Sequence, residues 1–284
     1  TRSPEAVVVG LKELPGQPEA LRHTHVFFGH AFKGQHDAAD LLARFRRGGG
    51  RLLDVEYLTG ADGRRLVAFG YWAGYAGASL GLLAARGAIE APLSPMSKDA
   101  LDDRLRSSTP AADEAALVVG ARGRSGRGAV DALAVGGITA TTWDRAETDP
   151  IDRDRLRAHT LLVNCVAVST PREPFVTAAD LDAPGSRLAV LTDVTCDVTS
   201  DLNLLPVNTS TTSWEEPVRT LRDGERTVQV VAIDNLPSLL PAEASATFSH
   251  DLLPQLLGLD AMTAPWQHAL EVFDTTSAAV LGPA

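Results

Sequence analysis

Several ionisable side chains near the start of the sequence are suited to proton transfer. Lys12 follows the apolar run AVVVGL, and the carboxyl end of a buried strand is where open α/β sheets place their ligands. The segment HTHVFFGHAFK adds His23, His25, His30 and Lys33. Burial lowers the pKa of lysine and histidine towards neutrality, where general acids and bases work best. Taken singly, each also fits an ordinary structural role, as a solvated turn residue or a satisfied core histidine.

A carboxylate and two arginines follow in the same part of the chain. Glu56 interrupts the apolar segment LLDVEYL, and Arg64 and Arg65 open the segment RRLVAFG. An arginine in a cleft can grip a substrate carboxylate through two parallel hydrogen bonds. Alternatively, Glu56 and Arg65 would face each other across a hairpin and form only a cross-strand ion pair. The residues alone leave both interpretations open.

The segment VVGARGRSG predicts a dinucleotide site. It places Gly120, Gly123 and Gly126 after an apolar strand and before a helix, where small residues let a pyrophosphate approach the helix amides. Asp144 ends the next apolar segment, at a spacing typical of the acidic residue that binds the adenosine ribose of NAD and repels the 2′-phosphate of NADP. Because the spacing G-x-x-G-x-x-G is unusual, a glycine-rich turn without a ligand is the alternative. Arg122 in this turn could contact a phosphate or remain solvated.

The elements that must position these residues alternate between strand-like and helix-like segments. AVVVGL, HVFFGHAF, RLLDVEYL and RRLVAFG predict strands, the last two as a hairpin, and DAADLLARFRRG predicts a helix. ALVV, ITATTWD, LLVNCVAV, RLAVLTDVT and VQVVAIDN predict further strands separated by helical or polar stretches. YWAGYAGASLGLLAAR predicts a buried connecting helix, and two amphipathic helices follow near the end of the sequence. Strands that alternate with helices indicate a doubly wound parallel sheet.

We therefore expect an α/β protein with two Rossmann-like doubly wound domains and an active site in the cleft between them. Residues 71–235, with the connecting helix, would form the NAD-binding domain. Residues 1–70 and 236–284 would form the substrate and catalytic domain.

Composition narrows the class of protein. The 284 residues carry a net charge of −10, which argues against nucleic acid or an anionic membrane as a partner because both need a basic surface. No apolar run is long enough for a transmembrane helix, and no signal-peptide pattern is seen. Cys165 and Cys196 lie in apolar segments, so we expect free thiols, a cytoplasmic location and no metal site.

The segments FGHAFKGQ, LLDVEYL, GRRLVAFGYWAGYAGA and IDNLPSLLPAEASATFSHDLLPQLL resemble the NAD-dependent, L-lysine-forming saccharopine dehydrogenases. The resemblance runs through nearly the whole chain and extends by fold to alanine dehydrogenase and transhydrogenase. It implies an NAD-dependent oxidoreductase acting on the CH–NH bond of saccharopine. Such an enzyme forms an imine that water hydrolyses to L-lysine and 2-oxoglutarate, or runs the reverse condensation.

The resemblance also implies roles for individual residues. Lys12 and His30 would form the catalytic acid–base pair, with His30 accepting the proton of the secondary amine and Lys12 serving the water and carbinolamine steps. Substrate binding would fall to Lys33, Glu56, Arg65 and Phe69. Cofactor binding would fall to Gly120, Gly123, Arg124, Ser125, Gly126, Asp144 and Asp234, with Asp234 near the nicotinamide.

The sequence departs from the family in three places. The family has a further βα unit ahead of AVVVGL, with an arginine for the substrate carboxylate, and the first sheet would be incomplete without it. Ser125 stands where a fungal member has a cysteine able to pair with the counterpart of Cys165, and Asn235 replaces a histidine. Because the sequence does not size the pocket for the lysine part of the substrate, a related opine-type dehydrogenase that joins a keto acid to another amine is an alternative. A catalytically silent NAD-binding protein is the other. A monomer is expected, since the sequence has no long heptad pattern and the resemblance implies one.

Overall fold

The computed structural model describes residues 3, 5–10, 14–29, 32, 38–224 and 226–282. The chain forms two compact units, Thr1–Ala68 with Thr247–Ala284, and Phe69–Ala246. The chain therefore leaves the first unit once and returns to it. The return falls within the helix Pro241–Leu257 (α7), after the 235/236 boundary expected from the sequence.

The first unit contains a three-stranded parallel sheet. Its strands are β1 (Val8–Val9), β2 (Thr24–Phe27) and β3 (Arg51–Asp54), and they pair in the order β1-β2-β3. The register pairs Val9 with Val26 and Val26 with Leu53. Because all three strands run in the same direction, their carboxyl ends share one edge of the sheet.

Helices cover both faces of this sheet. Helix α1 (Ala38–Gly48) is amphipathic and buries Leu42 and Phe45, which join Phe27 and Leu52 in one cluster. Helix α8 (Ala264–Leu281) places Trp266 against Val26 and Leu53 on the other face. Alternate residues of β2 and β3 thus enter opposite clusters, as the two-residue period of a strand requires.

The predicted hairpin of the first unit is wrong. Strand β3 ends at Asp54, whose Oδ1 accepts a hydrogen bond of 2.9 Å from the backbone N–H of Glu56. This side-chain cap starts a 3-10 turn, Val55–Tyr57, which ends the strand before LLDVEYL is complete. The segment RRLVAFG contributes only an isolated antiparallel bridge between Thr59 and Arg65.

The second unit contains a six-stranded sheet in the order β5-β4-β6-β7-β9-β8. The strands are β4 (Ala116–Val119), β5 (Thr141–Trp143), β6 (Leu161–Asn164), β7 (Val190–Asp193), β8 (Arg219–Arg222) and β9 (Val228–Val231). All pairs are parallel except β8 with β9. The parallel, doubly wound arrangement was predicted, whereas the antiparallel edge strand β8 was not.

Helices lie on both faces of the second sheet. On one face are α2 (Gly70–Ala85), α3 (Lys98–Ser107) and α4 (Arg124–Val135). The short helices α5 (Arg153–Arg157) and α6 (Ala178–Asp182) contribute to the apolar cluster on the other face. Of the helices within the described ranges, none has the length and apolar character needed to span a bilayer.

Glycines bring α2 and α4 into direct backbone contact. A Cβ atom at Gly74 of α2 would overlap the carbonyl oxygen of Ser125, and one at Gly128 of α4 would overlap that of Tyr71. Helix α2 is buried along its length from Gly74 onward, as expected of a helix that is apolar on every side. The close packing sets the position of the amino end of α4.

Candidate active site

The turn between β4 and α4, together with the start of α4, requires glycine at two positions, Gly120 and Gly126. Gly120 has a φ of 81°, and a Cβ there would lie 2.8 Å from Cγ2 of Val166. A Cβ at Gly126 would overlap the carbonyl oxygen of Gly120. The backbone N–H of Gly120 donates to the carbonyl of Trp143 at 2.8 Å. The turn is therefore held to the end of β5, and its backbone is open to close approach by a ligand.

The amino end of α4 faces this turn. Gly123 is the N-cap residue and has no side chain to cover the first amides of the helix, so these N–H groups and the helix dipole favour an anion. Arg124 and Ser125 form the first turn of α4. A Cβ on Gly70 would lie 3.1 Å from Oγ of Ser125, so the Ser125 side chain faces the start of α2.

Hydrogen bonds to the backbone N–H and carbonyl of Asp144 hold this residue beside the glycine turn. Its N–H donates to the carboxylate of Glu147 at 2.8 Å, and its carbonyl accepts from the Thr148 hydroxyl at 3.0 Å. Its Oδ2 accepts from the backbone N–H of Arg122 at 3.2 Å and lies 3.5 Å from Nε of Arg122. The Asp144 side chain is 27% exposed, so the carboxylate remains accessible to a ligand.

A cleft of about 610 Å³ lies at the carboxyl ends of β4, β5 and β6. Its lining includes Gly120, Gly123, Asp144, Thr148, Cys165, Val166 and Arg172. Crevices at this edge of open α/β sheets bind dinucleotides, with the pyrophosphate at a helix amino end and an acidic residue on the ribose. The glycine cradle and the fixed carboxylate of Asp144 fit NAD.

The two cysteines in this region are free thiols with little thiolate character. Burial, and then the charge of Asp193, raises the pKa of Cys165 well above its ordinary value. The same causes, with Asp234 and Asp197, raise the pKa of Cys196 to about 12. Neither thiol is disulfide-bonded. Within the described ranges, no group of three or more histidine, cysteine or acidic side chains is placed to hold a metal.

Polar groups also end the neighbouring strands. The buried Oδ1 of Asp193 accepts from Nδ2 of Asn164 at 3.2 Å and from the Thr195 hydroxyl at 2.8 Å. This network joins the ends of β6 and β7, and it was not predicted from the sequence. The only indication of this network in the sequence is the polar residue that ends each of the two apolar runs, Asn164 and Asp193. Asp234, the expected nicotinamide-side residue, is exposed after β9 and precedes Asn235, which has a left-handed φ of 66°.

In the first unit, Glu56 and Arg65 form an ion pair. The distance from Arg65 Nη2 to Glu56 Oε1 is 2.7 Å, with Glu56 6% and Arg65 45% exposed. Oδ2 of Asp54 accepts from the backbone N–H of Gly29 at 3.1 Å, which ties the end of β2 to the end of β3. The structure thus joins Glu56 and Arg65 as an ion pair, although not across two strands.

Other expected site residues fall elsewhere. Phe69 directly precedes α2 and belongs to the second unit. Lys12, His30 and Lys33, which the resemblance assigns to catalysis and substrate binding, lie outside the described residues.

Comparisons with known proteins identify the relatives of this chain, although no family model matches it. The saccharopine dehydrogenase [NAD(+), L-lysine-forming] of Neurospora crassa is 40% identical over 95% of this chain and 78% of its own length. The protein of the same description from Emericella nidulans is 38% identical over 95% of this chain and 79% of its own length.

Two solved structures share the fold. An L-alanine dehydrogenase has a TM-score of 0.61 at 14% identity, covering 97% of this chain and 80% of that one. A transhydrogenase from Sinorhizobium meliloti has a TM-score of 0.57 at 14% identity, covering 91% of this chain and 74% of that one. These similarities confirm the predicted α/β fold class. From its identity to the fungal proteins, the chain belongs to the family of NAD-dependent, L-lysine-forming saccharopine dehydrogenases.

Proposed function

We propose that this protein catalyses the reversible, NAD-dependent oxidation of saccharopine to L-lysine and 2-oxoglutarate. The observation that carries the proposal is the 40% identity to a saccharopine dehydrogenase over 95% of the chain. The cleft supports it, since the glycine turn at Gly120 and the carboxylate of Asp144 fit the required cofactor.

The second unit would bind and orient the cofactor. The amides at the amino end of α4 would hold the pyrophosphate, and Asp144 would accept hydrogen bonds from the adenosine ribose. NAD⁺ held there would supply the hydride acceptor for oxidation at the α-carbon of the glutamate part of saccharopine. Asp234, at the end of the β9 segment, would stand towards the nicotinamide.

The first unit would bind the substrate and move its protons. His30 would accept the proton of the secondary amine as the C–N bond becomes an imine. Lys12 would remove a proton from the attacking water and return one to the departing lysine nitrogen when the carbinolamine collapses. Arg65 would bind a substrate carboxylate while its contact with buried Glu56 fixes its direction. Lys33 and Phe69 complete the expected substrate set.

The experiment is a reaction in the condensation direction. Purified protein is mixed with L-lysine, 2-oxoglutarate and NADH, and the absorbance of the reduced nicotinamide is followed. We expect NADH consumption that requires both lysine and the keto acid, with saccharopine identified by mass spectrometry. Consumption with ornithine or another amine, but none with lysine, would replace the proposal with an opine-type dehydrogenase. NADH binding without turnover with any amine would indicate a catalytically silent relative.

We further propose that the protein works on small molecules in the cytoplasm, as a monomer. The free thiols Cys165 and Cys196 support a reducing compartment. Size-exclusion chromatography with light scattering should give a mass near 30.0 kDa for this chain. A mass of twice that value would contradict the monomer.

A further inference from the structure

The side chain of Arg122 lies beside the carboxylate of Asp144, which is expected to select NAD over NADP. Oδ2 of Asp144 accepts the Arg122 backbone N–H at 3.2 Å and lies 3.5 Å from Nε of the same residue. The Arg122 side chain is 89% exposed, so its guanidinium is free to turn towards a bound ligand. A ribose hydroxyl bonded to Asp144 would therefore lie within reach of Arg122.

A second cavity adjoins the cleft at Asp144. It has a volume of about 470 Å³, and its lining includes Tyr71, Arg122, Arg127, Asp144 and Glu147. Asp144 thus lines both spaces. Arg122 and Arg127 bring two positive charges to the lining of this second cavity.

Two further carboxylates that line this cavity each accept a hydrogen bond from within the protein. Glu147 accepts from the backbone N–H of Asp144 at 2.8 Å, and Asp131 accepts from the Tyr71 hydroxyl at 2.7 Å. Their negative charges persist and oppose a phosphate. The positive charges of the two arginines are therefore opposed by the carboxylates, and the site is not expected to be specific for NADP.

We propose that Arg122 is a specificity-determining residue that offsets Asp144 and lets the site accept NADP as a weaker alternative to NAD. The inference rests on the proposed function, because it concerns the cofactor of that reaction. An unpaired carboxylate repels a 2′-phosphate, whereas a guanidinium on the same carboxylate reduces this repulsion and can donate to phosphate oxygens. The 2′-hydroxyl of NAD needs only Asp144, so Arg122 affects the two cofactors unequally.

The test measures binding of NADH and NADPH separately. Energy transfer from tryptophan to the reduced nicotinamide gives Kd, and Trp143 lies directly before Asp144. For Arg122→Gln, we expect the Kd of NADPH to rise about fivefold, the effect of one exposed charge contact, with little change for NADH. Arg104→Gln, an exposed arginine of α3, removes the same charge away from the cleft and should change neither Kd.

A double-variant cycle separates specificity from a structural role. Asp144→Asn should tighten NADPH binding, and adding Arg122→Gln should remove most of that gain. An unchanged ratio of the two Kd values in Arg122→Gln, or an equal loss for both cofactors, would overturn the inference while leaving the proposed function intact. Failure of the unaltered protein to bind either cofactor would overturn both.

Discussion

Glu56 and Arg65 show that the position of a side chain depends on the turn in which its residue lies. Their ion pair was one of two alternatives considered from the sequence, and the structure brings the two groups to 2.7 Å. The cap on Asp54, however, puts Glu56 in a 3-10 turn rather than a strand. A buried carboxylate is costly without a partner, and the Arg65 guanidinium supplies that partner just beyond the carboxyl end of β3.

The assigned acid–base pair leads to the first prediction. Lys12→Met and His30→Gln should each lower kcat by about 10²–10⁴-fold, the usual contribution of a positioned general acid or base. The Kd of NADH should stay nearly unchanged, because the residues that fit the cofactor lie in the second unit. Steady-state kinetics and a fluorescence titration measure the two quantities.

A matched control uses a histidine away from these segments. His250 is exposed on α7, and His250→Gln should leave kcat and NADH binding as in the parent. Loss of NADH binding in Lys12→Met or His30→Gln would instead assign those residues to the cofactor site.

A buried histidine gives the pH prediction. Burial lowers the pKa of His25 below 6.5, although its hydrogen bond to the His23 carbonyl, 2.9 Å from Nδ1, acts in the opposite direction. Below pH 6.5 the unfolded chain binds a proton that the folded chain resists. The free energy of unfolding should therefore fall as the pH drops below 6.5, until the folded pKa is reached.

Urea denaturation across this pH range measures the effect. His25→Leu fills a similar space beside Phe45, whose ring centroid lies 5.2 Å from that of His25, and should reduce the pH dependence. An identical slope in the variant and the parent would show that another group controls it.

Among the elements, those with a strong local pattern were predictable. The buried helix α2, the strand–glycine turn–helix of β4 and α4, and the central parallel strands follow from apolar runs and glycine spacing. Strand β8 was missed because its sequence RTLR is short and polar at a sheet edge, with alternating partial exposure. The hairpin failed because one side-chain cap on Asp54 outweighed the β-propensity of the residues that follow.

The glycine turn provides a prediction about an element. In Gly126→Ala, the new Cβ would overlap the carbonyl of Gly120 and the backbone of Ala121, so α4 must move away from the turn. Overpacking of this kind costs about 1–3 kcal/mol of unfolding free energy. Because the shift displaces the helix amides, we expect NADH binding to weaken by about tenfold, or about 1.4 kcal/mol.

Gly224→Ala is the matched control for that variant. Apart from its chain neighbours, no described residue has an atom within 4 Å of a Cβ at Gly224, so the stability and NADH affinity of this variant should equal those of the parent. Calorimetry and fluorescence titration test both variants. Wild-type NADH affinity in Gly126→Ala would show that the close approach of α4 to the turn is not needed for binding.

For the whole molecule, the sequence predicted the class of fold and the grouping of the glycine turn with Asp144. These two predictions depend on residues that are close along the chain or that follow the carboxyl ends of neighbouring parallel strands. The network of Asn164, Asp193 and Thr195 joins segments far apart in sequence, and no local pattern indicates such hydrogen bonds. The contact between Arg122 and Asp144 could not be predicted for the same reason, since it depends on how the turn after β4 packs against the turn after β5.

The division into two units leads to the last prediction. Phe69–Ala246 is one continuous stretch of chain, and all the described residues of its two apolar clusters lie within it. It also contains the glycine turn, the amino end of α4 and Asp144. Expressed alone, this segment should unfold cooperatively and bind NADH with nearly the affinity of the full chain. It should show no turnover of lysine and 2-oxoglutarate, because Lys12 and His30 belong to the other unit.

Circular dichroism and fluorescence titration measure folding and binding of this segment. The same segment with Asp144→Ala is the control, since it should fold equally well but hold the ribose less tightly. A segment that folds but fails to bind NADH would mean that the first unit supplies cofactor contacts. The glycine cradle and Asp144 would then be insufficient for binding, even though they bring amides and a carboxylate to the same edge of the sheet.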